Sequence, residues 1–197
     1  MKLLICTRSD KNTADIAAIT LPFLKAYAKR CGADFRLLGS ECFTPPMEGA
    51  WCYRILSIRD HLKEYDRVLH IDVDALVKPD CPNLFSLVPT DRIGSIFEDV
   101  GSRKEHRRSV IRAIQEKMGD VGWRSGYPNS GCMLFSRCHI PLFEIPPQGL
   151  WEGWGLDDAW IGWQAKRLGM AFYELPPTFN WMSMFSEPWA VGLGRRV

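Results

Sequence analysis

Asp72 and Asp74 stand one residue apart in the stretch YDRVLHIDVDALVKPD, directly after an apolar run that reads as a strand. Burying a charge is costly unless it is paired or bound to a metal, and neighbouring carboxylates raise each other's pKa. In an extended chain residues i and i+2 point the same way, so both carboxylates can face one point while Val73 turns to the core. That donor set suits a hard divalent cation, Mg²⁺ or Mn²⁺, which keeps positions open for waters and for substrate phosphates. The three letters D-x-D also fit a solvated turn after a strand.

The elements around the pair place it. KLLICT reads as a buried strand, and the residues after it read as a helix with Ile16, Ile19, Phe23 and Tyr27 on one face. Asn12 or Thr13 is positioned to cap that helix and Gly32 to end it, and Pro22 implies a kink or a later start. ADFRLLG is a second strand, ECFTPPMEG a loop, and AWCYRILSIRDHLKEY an amphipathic helix with Trp51, Ile55, Ile58 and Leu62 on its buried face. RVLHID is then a third strand. Alternating strands and helices argue for a parallel sheet with right-handed crossovers, and ligands bind such sheets beyond the carboxyl ends of the strands. Downstream, RIGSIFED, NSGCMLFSR and MAFYELP read as strands, and the segments near 101–119 and 156–168 as helices.

Composition bounds the rest. The 197 residues suffice for one α/β domain, and 46% hydrophobic with 24% charged residues is ordinary for a globular chain. A net charge of +2 is too small an excess to imply nucleic acid. No apolar run approaches the ~20 residues that cross a bilayer. The seven cysteines are odd in number and show no C-x-x-C spacing, which points to reduced thiols and a cytoplasmic setting. The basic run SRKEHRRSVIR reads first as a solvated helix face, with a flap over a cleft or a peripheral contact to anionic lipid as alternatives.

Four segments carry a resemblance in consistent order. YDRVLHIDVDALVKPDCPNLF resembles the D-x-D segment of nucleotide-sugar-dependent glycosyltransferases of the GT-A fold. YPNSGCMLFSR is similar to their Asn-Ser-Gly approach to a strand. WGLDDAWIGWQAKRLG is similar to their acidic segment opening a helix, and FYELPPTFNW to the segment beyond that helix. The resemblance implies a mixed, mainly parallel central sheet flanked by helices on both faces. It implies one catalytic domain over 1–197, or that domain within a longer polypeptide, and transfer of a sugar from a nucleoside diphosphate sugar, UDP-sugar favoured, to an acceptor hydroxyl.

Residue by residue, the resemblance implies that Asp72 and Asp74 hold the metal and the donor, with Val73 between them. The loop at Thr7 and Arg8 would hold the nucleotide, and Arg54 would face the donor, where its rigid fork suits phosphate. Asn129, Ser130 and Gly131 would meet sugar hydroxyls. Asp158, ahead of Asp157, would serve as general base in an inverting enzyme, or would lie by the donor sugar or orient the acceptor in a retaining one, although acidic residues in a first helical turn also complement the helix dipole. Among the late tryptophans, Trp151 and Trp154 lie between glycines and are the acceptor candidates, whereas Trp160 and Trp163 read as core. Relatives often complete the metal site with a late His, and this chain has none after His139. The alternatives are a non-catalytic sugar-nucleotide-binding module on the same fold and a D-x-D phosphatase.

Overall fold

The computed structural model describes residues 1–39, 50–182 and 185. The predicted loop ECFTPPMEG and Trp189 fall outside the described residues. The elements run as β1 (Leu3–Arg8), α1 (Ala14–Cys31), β2 (Asp34–Leu38), a 3₁₀ helix (Ala50–Ser57) continuing into α2 (Ile58–Glu64), and β3 (Arg67–Ile71). Then come α3 (Leu84–Leu87), β4 (Arg92–Ser95), α4 (Lys104–Met118), β5 (Cys132–Ser136), α5 (Leu156–Arg167) and β6 (Ala171–Glu174).

The strands form one sheet in the order β2-β1-β3-β5-β4-β6. β1 runs parallel to β2 and β3, and β4 parallel to β6, while β5 is antiparallel to both its neighbours. The sheet is therefore mixed and mainly parallel. Because β5 runs backwards, its start at Ser130–Cys132 meets the end of β3 at Ile71, and Asp72 N–H donates to the Gly131 carbonyl at 2.8 Å. This pairing fixes the carboxyl end of β3 and the start of β5 as the place where loops converge.

Strand periodicity divides the core between two layers. Cys6, Val68 and Met133 face the layer of α2, α4 and α5 with Ile58, Ile114 and Trp160. Ile5, Leu69, Ile71 and Leu134 face the layer of α1 and α3 with Leu24, Tyr27 and Phe85.

Several expectations change. α1 buries Ala17, Thr20, Leu24, Tyr27, Ala28 and Cys31, whereas Ile16, Ile19 and Phe23 are exposed. The small residues allow the helix close to the sheet, and Thr20 Oγ1 donates to the Val73 carbonyl at 2.5 Å. Pro22 lies inside this helix, which starts well before it, and Thr13 makes no side-chain capping bond. Trp51 is not core: it is 63% exposed, because the segment begins as a 3₁₀ helix whose turn rotates it away from Ile55 and Ile58. Trp151 is buried, with Trp123, Trp160 and Trp163, and leaves Trp154 as the exposed indole of its segment.

Candidate active site

β3 ends at Ile71, so Asp72, Val73 and Asp74 lie beyond it in a tight turn closed by Ala75 N–H on the Asp72 carbonyl at 3.1 Å. The two carboxylates are thus brought together by a turn and not by the strand pleat. Val73 is buried, as its apolar side chain demands, and Asp74 is exposed. Partial burial and then the Asp72 charge raise the Asp74 carboxyl above its usual range. Gly131 sits against this turn. A Cβ there would meet Asn129 Oδ1 at 2.8 Å, Asn180 Nδ2 at 3.0 Å and Asp72 Oδ2 at 3.0 Å. The glycine leaves room beside an Asp72 oxygen that any other residue would fill.

Thr7 and Arg8 are the last residues of β1 and pair with Leu37 and Leu38, so they are strand and not loop. Their side chains go to opposite faces. Thr7 is fully buried and its hydroxyl has no partner. Arg8 lies in the site: Nη1 donates to the Cys52 carbonyl at 2.9 Å, Nη2 is 3.5 Å from Asp72 Oδ1, and Nε donates to His70 Nε2 at 3.1 Å. His70 is fully buried, and its Nδ1 is 3.1 Å from the Ser130 carbonyl. Burial, with the Arg8 cation added, pushes the imidazole down to about 4, so the ring is neutral, donating through Nδ1 and accepting through Nε2. Arg54 lies one step away, 3.5 Å from Asp10 in the loop after β1.

α5 delivers Asp157 and Asp158 to the same end of the sheet. Its first residues are set by Gly155, whose φ of 80° is left-handed and whose Cβ would collide with the Tyr127 hydroxyl. Leu156 follows with φ 28°, a strained value for a branched residue, immediately before the carboxylates. Asp158 is part-exposed and accepts the Ser130 N–H at 2.6 Å. Asp157 is buried, and its Oδ2 has no partner. Burial, opposed by Arg8 and reinforced by Asp72, pushes Asp157 up to about 6. Burial, then the Asp157 and Glu98 charges, holds Asp158 well above the carboxylate range.

Asn129 is more fully engaged than the sequence suggested. Its Oδ1 accepts from Gly131 N–H at 2.9 Å and Asn180 Nδ2 at 2.7 Å, and its Nδ2 donates to Glu98 Oε1 at 2.6 Å. Buried Glu98 is in turn clasped by the Arg107 guanidinium, which lies 4.1 Å from the Trp154 ring centre. Arg108 likewise pairs with buried Asp99 at 3.3 Å. Arg107 and Arg108 are therefore engaged with buried carboxylates, whereas Lys104 and Arg112 are exposed. Sequence reasoning passed over His70, Glu98, Arg107 and Asn180; only His70 left a signal, as an imidazole in an apolar strand two residues before Asp72.

A cleft of ≈ 930 Å³ opens beside Asp74 and Asn180, with Tyr27, Lys78, Arg103 and Trp181 in its lining. Among the described residues no group of three or more His, Cys, Asp or Glu side chains is arranged to hold a metal. Two hard carboxylates on an open turn still fit Mg²⁺ or Mn²⁺, which bind through one or two carboxylates and fill their shell with water and phosphate oxygens.

No protein-family model matches the chain, and no curated protein matches it. Solved structures do. A glycosyltransferase involved in glycosylation of the major capsid of PBCV-1 superposes with a TM-score of 0.60 at 14% identity, over 90% of this chain and 82% of that one. A mutant of Drosophila beta1,4-galactosyltransferase 7, in complex with manganese, UDP-Gal and xylobiose, gives 0.50 at 12% identity over 93% and 67%. The glycosyltransferase GlyE of Streptococcus pneumoniae TIGR4 gives 0.50 at 14% identity over 97% of this chain and 49% of its own. The chain has the GT-A fold of these glycosyltransferases.

Proposed function

We propose that residues 1–197 form a catalytic domain that transfers a sugar from a nucleoside diphosphate sugar, UDP-sugar favoured, to the hydroxyl of a carbohydrate or similar acceptor, with Mn²⁺ or Mg²⁺. The observation that carries this reading is convergence. The Asp72–Asp74 turn, the Arg8 guanidinium and the Asp157–Asp158 pair meet at one end of the sheet, and Asp74, Asp157 and Asp158 are all held above the usual carboxylate range. The manganese and UDP-Gal complex of a protein with this fold supports the choice of metal and donor.

In this reading Asp72 and Asp74 hold the cation, which when bound supplies positive charge to the leaving diphosphate. Arg8 adds a planar cation beside Asp72, and Arg54 steadies the loop after β1 through Asp10. Asp158, the part-exposed member of its pair, takes the proton of the acceptor hydroxyl. The charge of buried Asp157 helps hold the Asp158 pKa above the usual carboxylate range, so that the carboxylate is a stronger base. Ser130 aims Asp158 through its N–H, and Gly131 leaves room at Asp72. Trp154 offers an indole face for the apolar surface of an acceptor sugar. The free state of the six described cysteines is consistent with a cytoplasmic setting, and no described helix is long and apolar enough to cross a membrane.

The test is Asp74→Ala. Release of UDP or GDP from a panel of UDP- and GDP-sugars, with Mn²⁺, is expected in the wild-type chain and lost in the variant, with an unchanged melting profile. Equal turnover in both would remove Asp74 from the metal seat. Donor binding without turnover in the wild-type chain would instead identify a sugar-nucleotide-binding module.

A further inference from the structure

We propose that His70 is a positioning residue for the donor site, acting through Arg8; the inference rests on the donor reading above. His70 sits on an apolar strand between Val68 and Leu69 on one side and Ile71 on the other, with Cys6 and Met133 as its register partners. An aliphatic side chain is the default there. The imidazole instead bridges two site residues, accepting from Arg8 Nε and donating to the Ser130 carbonyl, each at 3.1 Å.

The first bond holds Arg8 from behind. With Nε on His70 and Nη1 on the Cys52 carbonyl, the planar fork has little rotational freedom, and Nη2 is left facing Asp72. That contact is 3.5 Å, longer than the ~2.7–2.9 Å of a charge-assisted hydrogen bond. Asp72 therefore does not saturate the guanidinium, and Nη2 keeps donor capacity for an anionic oxygen. A diphosphate on the Asp72–Asp74 turn supplies one. The second bond fixes Ser130, whose N–H is committed to Asp158 at 2.6 Å. One side chain thus sets the aim of the donor-side cation and the backbone that orients the candidate base.

The probe is UDP with Mn²⁺, titrated calorimetrically into the purified 197-residue chain. His70→Leu removes both bonds and is expected to weaken binding by about tenfold or more, the scale of a lost hydrogen bond to a charged group. In an Arg8→Ala background the same substitution is expected to cost little, because there is no guanidinium left to aim. His70→Gln, whose amide offers a donor and an acceptor, is expected to restore most of the affinity. If the Leu variant does not fold, His70→Asn, polar but too short to span both partners, carries the same comparison. Equal losses with and without Arg8, or wild-type affinity in the Leu and Asn variants, would overturn the proposal. Asp74→Ala separates the two levels. If it abolishes UDP binding while His70→Leu is neutral, only the positioning role fails. If the wild-type chain binds no UDP, the donor reading fails and takes this inference with it.

Discussion

Gly131→Ala perturbs the site by one methyl group at a place where the structure gives the distances. Gly131 is not in the left-handed region, so alanine meets no backbone penalty and the effect is steric. The new Cβ would stand 2.8 Å from Asn129 Oδ1 and 3.0 Å from both Asn180 Nδ2 and Asp72 Oδ2, so its neighbours must give by a few tenths of an ångström. Asn129 cannot give freely: its oxygen already accepts from Gly131 and Asn180, and its nitrogen is tied to buried Glu98. Asp72 is free to move at its carboxylate, so the displacement falls largely on the group that would hold the cation. Overpacking of this kind costs about 1–3 kcal/mol, which for a chain of this size lowers the melting temperature by roughly 2–12 °C. The affinity for UDP with Mn²⁺ is expected to fall further than stability does, by about tenfold or more, because the shift is concentrated at Asp72. Thermal melts and calorimetric titration of one preparation read both quantities. Wild-type values in both assays would refute the reasoning, by showing that the space beside Asp72 is not rigidly enclosed.

Two further outcomes arise from the buried polar groups. A general base works deprotonated, and burial with the Asp157 and Glu98 charges holds Asp158 well above the carboxylate range, so turnover is expected to rise with pH well above the ~4 of an ordinary Asp. Asp157→Asn should move that limb toward acid by removing a like charge from Asp158, and a limb near ~4 in the wild-type enzyme would contradict the assignment. The linkage sign is fixed too: with folded pKa values raised, the stability contributed by the protonated pair is full below ~4 and lost as the pH rises through the folded values. Thr7→Val removes a buried hydroxyl without a partner while keeping its shape, so urea melts should show a gain of about 1 kcal/mol. UDP affinity should be unchanged, because this side chain is buried away from the Arg8 face of β1; a loss would return Thr7 to the donor site.

The Asp72–Asp74 pair was legible because it breaks a simple rule, charge following an apolar strand, and the rule is local. The strand–helix alternation was legible for the same reason. The inner face of α1 was not. Hydrophobicity favours Ile16, Ile19 and Phe23, but close packing on the sheet selects Ala17, Thr20 and Ala28, and size is decided by the partner surface. The Glu98–Arg107 and Asn129–Asn180 contacts were invisible because their partners meet only through loop geometry, across 9 and 51 residues of chain. Arg8 was found by position in the chain. Its engagement with His70, 62 residues away, required the parallel pairing of β1 with β3.

Charge compensation around the site is uneven, and the unevenness bears on what the site is for. Glu98 is held by Arg107 and Arg103, and Asp99 by Arg108, so the carboxylates at the periphery are neutralised by the chain itself. Among the described residues Asp72 has only the long contact to Arg8 and a neutral His70 beside it. Among the described residues no ion pair within 4 Å reaches Asp74, Asp157 or Asp158, and all three are held above the usual carboxylate range by burial and by neighbouring charges. A sequence selected for stability alone would replace such groups or pair them, since like charges left together work against the folded state. The basic residues to do so stand nearby in the run from Arg103 to Arg108, and they are committed further out, at Glu98 and Asp99. On the function proposed above, this central negative charge would be the seat of an external cation at Asp72 and Asp74 and the acceptor of a proton at Asp157 and Asp158.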